Sequence, residues 1–269
     1  MTIISLHLPK TAGTSFGSSL ASHFGDRYRR DYADQGICKP MAQRCEAALA
    51  AGVEIAAQGL GDIECVHGHF LPVKYLPLAA TRELTFVTWM RDPVTRMISH
   101  YYYWQESYDE KASAPHHRQV IEESWTLEQF CLSERFRNIY TQYLWNFPLD
   151  NFAFIGISEH YQEDLQEFCR RYLSTSLEPR SRNTTKYSGL RQAPDTAFLD
   201  KVREFHAADM ELYQRALTWR ARSIGAREGQ AANVVDGVGI RSSVNRLQSL
   251  PEVLAGSMEP LVPIMRSVE

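Results

Sequence analysis

The stretch from Ile3 to Phe24 constrains this chain more than any other. Ile3, Ile4, Ser5 and Leu6 form the apolar run of a buried strand. Phe16, Leu20 and Phe24, four residues apart, mark the core stripe of a helix. Only His7 and the segment Leu8-Pro9-Lys10-Thr11-Ala12-Gly13-Thr14-Ser15 separate them, so a strand must pass through a tight turn straight into a helix. Gly13 lets the backbone turn sharply or come close to a ligand. The amides that open a helix point into such a turn and make it an anion site. Lys10 adds a mobile positive charge, and Thr11, Thr14 and Ser15 add hydroxyl donors. The combination suits a phosphate or sulfate group; the plain alternative is an ordinary glycine turn. It is not a Walker A loop, which needs glycine, four residues and then Gly-Lys-Ser/Thr, whereas Lys10 here precedes Gly13.

A second unit of the same kind follows. Leu84 to Met90 is rich in β-branched and aromatic residues and reads as a strand. It ends at Arg91-Asp92-Pro93, where Asp92 suits a helix N-cap and Pro93 the first helical position. Along the helix beyond, Val94, Met97, Ile98 and Tyr101 share the expected core face, with Arg96, Ser99, His100 and Tyr103 opposite. Arg91 thus stands at a strand's carboxyl end, where open α/β sheets bind ligands. Between the units, Glu64-Cys65-Val66-His67-Gly68-His69-Phe70 predicts a short strand ending near Gly68. Cys65, His67 and His69 share a face if that strand continues. Histidine is the commonest general base near neutral pH. The competing readings are metal chelation with Cys65, for which no fourth ligand is evident, and structural histidines with satisfied hydrogen bonds.

The order Pro9-Lys10-Thr11-Ala12-Gly13-Thr14-Ser15 resembles the 5′-phosphosulfate loop of sulfotransferases, in particular carbohydrate sulfotransferases related to heparan sulfate 2-O-sulfotransferase. Arg91-Asp92-Pro93-Val94, with Arg96, Ser99, Tyr101 and Tyr102 at their spacing, resembles the 3′-phosphate motif of the same family. The resemblance covers roughly residues 1–222 and implies a three-layer, P-loop-like α/β fold with a central, mainly parallel sheet flanked by helices. It implies transfer of a sulfuryl group from 3′-phosphoadenosine 5′-phosphosulfate to an acceptor hydroxyl on a carbohydrate, lipid or small alcohol. Lys10, Thr11, Ala12, Gly13, Thr14 and Ser15 then hold the 5′-phosphosulfate, and Arg91 and Ser99 hold the 3′-phosphate. His67 or His69 supplies the catalytic base, and Lys10 stabilises the bridging oxygen. A late loop with Asn183, Thr184 and Lys186 resembles the segment that closes over the nucleotide. The scheme requires no metal.

The rest of the chain sets bounds. With 269 residues, 44% of them hydrophobic, it can bury a full core. A net charge of −3 argues against bulk nucleic-acid binding, and weakly against a highly anionic polysaccharide acceptor. The five cysteines at 38, 45, 65, 131 and 169 form no CxxC pair, which reads most simply as reduced thiols in the cytosol. No transmembrane run or signal peptide is evident, so the expectation is a cytoplasmic enzyme of bacterial type. Residues 26–34 read as a strand end or a loop whose basic run is a solvated face in preference to a contact for an anionic acceptor, and 39–58 read as a helix. Residues 101–110 read either as an aromatic acceptor platform or as core. Residues 111–118 read as a loop with surface His116 and His117, and 126–147 as helical. Phe152 to Ile157 reads as a strand with Ser158 capping the next helix, and 195–222 as one long helix capped by Asp195. From 223 to 269 the composition shifts, with one weak helix expected over 243–266 and no chemistry assigned. Two rival functions are a divergent nucleoside-triphosphate kinase, which needs magnesium-binding carboxylates not apparent here, and a non-catalytic nucleotide-binding module.

Overall fold

The computed structural model describes residues 1–34, 39–177 and 194–233. It is an α/β fold on a five-stranded, wholly parallel sheet. The strands are β1 (Thr2–Leu6), β2 (Tyr28–Arg30), β3 (Cys65–Gly68), β4 (Leu84–Met90) and β5 (Phe154–Ile157), in the order β2-β3-β1-β4-β5. β1 is central because it is buried on both faces, which explains its near-continuous apolar run. Its register places Ile4 beside Val66 and Phe86, and Ile3 beside Cys65 and Thr85.

That alternation separates the two faces. On one, Ile4, Leu6, Val66 and Phe86 pack against α2 (Met41–Gln58), a 3₁₀ segment over Pro72–Ala80, α6 (Ile139–Tyr143) and the start of α9 (Ala207–Asn233). On the other, Ile3, Cys65, Val87, Trp89 and Phe154 pack against α1 (Gly13–Phe24) and α7 (Tyr161–Tyr172). Phe16 wedges between Trp89 and Phe168, with ring centroids 5.3 and 4.9 Å away. The expected three layers, helices on both faces of a parallel sheet, are thus present. A third apolar cluster, centred on Trp104, Phe130 and Phe136, joins α3 (Pro93–Ser107), α4 (Pro115–Glu122), α5 (Leu127–Cys131) and α8 (Thr196–Phe205).

Several local expectations are corrected. Residues 126–147 are two short helices, α5 and α6; a 3₁₀ turn over Glu134–Phe136 and the left-handed Asn138 (φ 51°) prevent one continuous helix. Residues 195–222 divide at His206 into α8 and α9 because the His206 Nε2 bonds the Cys131 carbonyl (2.8 Å) and its Nδ1 accepts from the Asn138 amide (3.2 Å). Asp195 does cap α8, accepting from the Phe198 amide at 2.7 Å. The segment at 111–118 enters α4, and its His116 and His117 are buried. His117 stacks on Trp104 and bonds that residue's carbonyl at 2.8 Å. Residue 160, not Ser158, precedes α7, because Ser158–His160 forms a 3₁₀ turn first. The basic run at 26–34 takes the strand alternative, as edge strand β2, but it is not solvated throughout: Asp31 beyond the strand is buried in an ion pair with Lys74 (2.7 Å). On α3 the polar face is only partly solvated: Arg96 and His100 are buried, Ser99 is half-buried and Tyr103 is exposed. The Arg96 guanidinium lies 5.4 Å from the Tyr140 ring centroid, with Nη2 2.9 Å from the Met97 sulfur, so the first two turns of the helix are covered at Arg96 too.

Two compact units, Met1–Ile224 and Gly225–Glu269, divide the chain. Asn183, Thr184 and Lys186, Cys38, and the helix expected over 243–266 lie outside the described residues. The described cysteines, Cys45, Cys65, Cys131 and Cys169, are all buried free thiols. Among the described residues, no helix is long and apolar enough to cross a membrane.

Candidate functional site

The carboxyl ends of three adjacent strands bring the candidate residues together. β3, β1 and β4 are hydrogen-bonded neighbours, so the segments that leave them lie side by side, about 5 Å per strand apart. β3 delivers His67 and His69, β1 delivers residues 7–12 and the start of α1, and β4 delivers Arg91 and then α3. The chain also reverses direction across the sheet at β1, which is where such folds hold ligands.

The turn after β1 owes its shape to residues other than the expected glycine. The left-handed conformations fall on Lys10 (φ 66°) and Ala12 (φ 64°), not on Gly13. Left-handed backbone costs about 1–2 kcal/mol at a residue bearing a Cβ, and strain of this sort clusters at functional sites. Ala12 is the N-cap of α1 and provides no side-chain hydrogen bond, and no acidic residue sits in the first turn. The positive end of the helix therefore has no anionic group of its own there. Thr14 is exposed and Ser15 half-buried, while Thr11 is buried with its hydroxyl donating to the Leu8 carbonyl at 2.8 Å. Thr11 thus shapes the turn rather than offering an open donor.

Gly13 has a different role from the one its turn position predicted. A Cβ on Gly13 would lie 1.9 Å from Cδ2 of His7, and one on Gly17 would lie 2.5 Å from Nε2 of His67. The two glycines let α1 close directly onto two imidazole rings. His7 stacks on His69 (centroids 4.3 Å) and on His67 (5.2 Å), and its Nδ1 meets the Tyr32 hydroxyl at 3.1 Å. The result is a stack of three histidines under the anion turn.

The members of the stack differ in accessibility and bonding. His67 is 1% exposed, and its Nδ1 meets the Ser5 hydroxyl at 2.8 Å. His69 is half-buried, and its Nδ1 bonds the His7 carbonyl. A carbonyl can only accept, so the proton sits on Nδ1 and Nε2 keeps its lone pair. Burial holds His69 neutral, its pKa lowered to about 4, with the His7 carbonyl opposing the shift. Burial, with His69 nearby, lowers His67 further, to about 3. His7 lies well below the usual histidine range because of burial and then the charges of His69, His67 and Lys10.

The cationic groups complete the site. Lys10 Nζ lies 3.8 Å from the ring centroid of Tyr103, an exposed residue of α3. Burial and then the neighbouring Arg91 charge pull its pKa down to about 8, with Glu106 opposing. That coupling places the Lys10 and Arg91 charges within electrostatic reach of each other. The Arg91 backbone is held on both sides: its amide donates to the Tyr140 hydroxyl (3.0 Å), which donates in turn to the Arg91 carbonyl (2.6 Å). Asp92 caps α3 by accepting from the Thr95 amide (2.8 Å), and its own amide donates to Glu159 (3.0 Å). Ser99 is half-buried two turns along α3. Of the residues singled out from sequence, Lys10 to Ser15, His67, His69 and Arg91 stand on β3 or on the segments that leave β1, β3 and β4, and Ser99 lies farther on, two turns into α3. His7, Tyr32, Tyr140 and the buried His100, whose pKa is driven well below the ordinary value by burial and then by Arg96, were not assigned roles. His7 directly follows the carboxyl end of β1 in the sequence, whereas only the fold brings Tyr140 to Arg91. Among the described residues, no group of three or more His, Cys, Asp or Glu side chains is arranged to hold a metal.

No protein-family model and no curated protein matches the chain. Among solved structures it is similar to a sulfotransferase from Alicyclobacillus acidocaldarius, at 15% identity and a TM-score of 0.39, over 79% of this chain and 95% of that one. A superposition that loose leaves the functional argument to the residues themselves.

Proposed function

We propose that this chain is a sulfotransferase that moves a sulfuryl group from 3′-phosphoadenosine 5′-phosphosulfate to an acceptor hydroxyl. The observation that carries the reading is the pairing of two cationic centres, Lys10 and Arg91, on loops from neighbouring strands β1 and β4. Each centre has helix-start amides or hydroxyls beside it, which suits a nucleotide charged at both ends. The resemblance of both loops, in order, to the 5′-phosphosulfate and 3′-phosphate motifs supports the same reading and its likeness to the heparan sulfate 2-O-type enzymes.

In this scheme the amides of Gly13, Thr14 and Ser15 and the Lys10 ammonium hold the 5′-phosphosulfate. Arg91 and Ser99 hold the 3′-phosphate. The half-buried His69, with its free Nε2 lone pair, takes the proton from the acceptor hydroxyl. The acceptor oxygen forms a bond to sulfur as the bond from sulfur to the bridging phosphate oxygen breaks, and Lys10 balances the charge left on that oxygen. Adenosine 3′,5′-bisphosphate leaves. His67, enclosed under α1 and held by Ser5, supports His69 rather than reaching the acceptor. The late loop with Asn183, Thr184 and Lys186 is assigned to closure over the nucleotide on the resemblance alone.

Calorimetry with adenosine 3′,5′-bisphosphate, followed by an acceptor screen with the sulfated donor and mass detection, tests the reading. Binding with a product heavier by one sulfuryl group supports it. Binding without product from any acceptor class favours a non-catalytic nucleotide module. Absence of binding sinks the proposal.

A further inference from the structure

We propose that Tyr140 is a positioning residue for 3′-phosphate recognition: its hydroxyl fixes the backbone of Arg91 and so aims that guanidinium. The inference rests on the donor-site reading of Arg91 given above.

Arg91 lies between the last residue of β4 and the N-cap of α3, so neither the sheet ladder nor the helix holds its peptide groups. Such a junction is free to swing unless something else binds it. One hydroxyl does so, accepting from the Arg91 amide at 3.0 Å and donating to the Arg91 carbonyl at 2.6 Å. Any change in the Arg91 backbone torsions breaks at least one of these bonds. The hydroxyl is itself well anchored. Tyr140 is fully buried, and its own amide donates to Asp209 at 2.9 Å. The next residue, Thr141, gives the same carboxylate its amide at 3.0 Å and its hydroxyl at 3.2 Å. Asp209 is also fully buried, near the start of α9. The chain of contacts therefore runs from the base of α9, through the first turn of α6, to the one arginine at the carboxyl end of β4. Arginine recognises phosphate through a planar fork, and that advantage over a point charge exists only if the fork is aimed. A supporting shell locked by packing is what such aim requires.

The test is calorimetry on the full chain carrying Tyr140→Phe, which keeps the ring and removes only the hydroxyl. Two ligands are compared: adenosine 3′,5′-bisphosphate and adenosine 5′-phosphate. Losing two hydrogen bonds to the Arg91 backbone is expected to weaken the bisphosphate about tenfold, and the monophosphate less than about twofold. The preference for a 3′-phosphate falls accordingly. A purely structural role for Tyr140 would lower the melting temperature and weaken both ligands alike; an unchanged ratio overturns the inference. Arg91→Ala separates the two levels of argument. If it removes the preference while Tyr140→Phe does not, the positioning role fails alone; if it also leaves the ratio intact, the donor-site reading has failed. Should Tyr140→Phe not fold, Asp209→Asn loosens the anchor without touching the hydroxyl. It is expected to lower the ratio by about threefold, roughly the contribution of one of the two hydrogen bonds, and an unchanged ratio there overturns the inference as well.

Discussion

Replacing Gly13 with alanine should harm this protein out of proportion to the single methyl group added. The new Cβ would lie 1.9 Å from Cδ2, 2.2 Å from Nε2 and 2.5 Å from Cγ of His7. Relieving the worst of these takes a movement of roughly 1.5 Å, since carbon atoms at rest sit about 3.5 Å apart. The ring has little room to turn aside, because Tyr32 meets its Nδ1 and it stacks on both His69 and His67. The start of α1 must therefore shift, and the amides of residues 13–15 shift with it. Overpacking of this kind costs about 1–3 kcal/mol, and a contact with three ring atoms of a pinned side chain belongs in the upper half of that range. At about 2–4 °C per kcal/mol for a unit this size, the melting temperature should drop by about 5–10 °C. Differential scanning calorimetry measures this directly, and a double-mutant cycle isolates the cause. With His7→Ala also present the clash disappears, so the two changes should couple by about 2 kcal/mol rather than add. A wild-type melting temperature for Gly13→Ala, or additivity within about 0.5 kcal/mol, would refute the reasoning.

Other expectations follow from the same site. Lys10→Ala should lower turnover by about 10²–10³-fold with the fold intact, in line with loss of one group that stabilises developing charge. On the proposed function Lys10 acts as a cation, and with its pKa drawn down to about 8, kcat/KM should fall as pH rises through about 8; Lys10→Arg should remove that alkaline limb. His69→Gln should cost about 10²–10⁴-fold in kcat and His67→Gln less; equal losses would refute the division of roles. The acid limb of kcat/KM should lie near pH 4, where His69 gains its proton, rather than near 6.5. Stability should also be acid-sensitive. His7, His67, His69, His100, His116 and His206 are all held below their unfolded values, so below about pH 6.5 the unfolded chain binds more protons than the native one. The urea midpoint should therefore fall steadily from about pH 6.5 toward pH 4, and a flat profile would show that these rings are not buried neutral.

The layered fold was legible because its two strand–turn–helix units carry strong local signals. The apolar run of β1, the four-residue spacing in α1, and Asp92-Pro93 after β4 each follow from short-range physics, and each stands in the structure. What failed were long amphipathic readings that assumed one uninterrupted helix. The break at His206 arises from bonds to Cys131 and Asn138, 75 and 68 residues away, which no local pattern contains. Arg96, His100, His116 and His117 were misplaced for a related reason. A polar residue reads as solvated unless its neighbours are known, and here the neighbours are the rings of Trp104, Phe130 and Tyr140. Within the site, Lys10, Arg91 and the histidine pair stood out because their residue types and strand-end positions coincide. The part of Gly13 as a seat for His7 did not, because a glycine in a turn has a sufficient local explanation already.

The left-handed backbone at Lys10 and Ala12 has a consequence for how this chain would adapt to heat. Glycine at position 12 would release about 1 kcal/mol of torsional strain, though the unfolded chain would gain freedom in exchange. Position 10 offers no such release, since glycine there would discard the ammonium group. Under selection for thermal tolerance the two neighbours should thus part ways, residue 12 drifting toward glycine while residue 10 keeps its strain and its lysine.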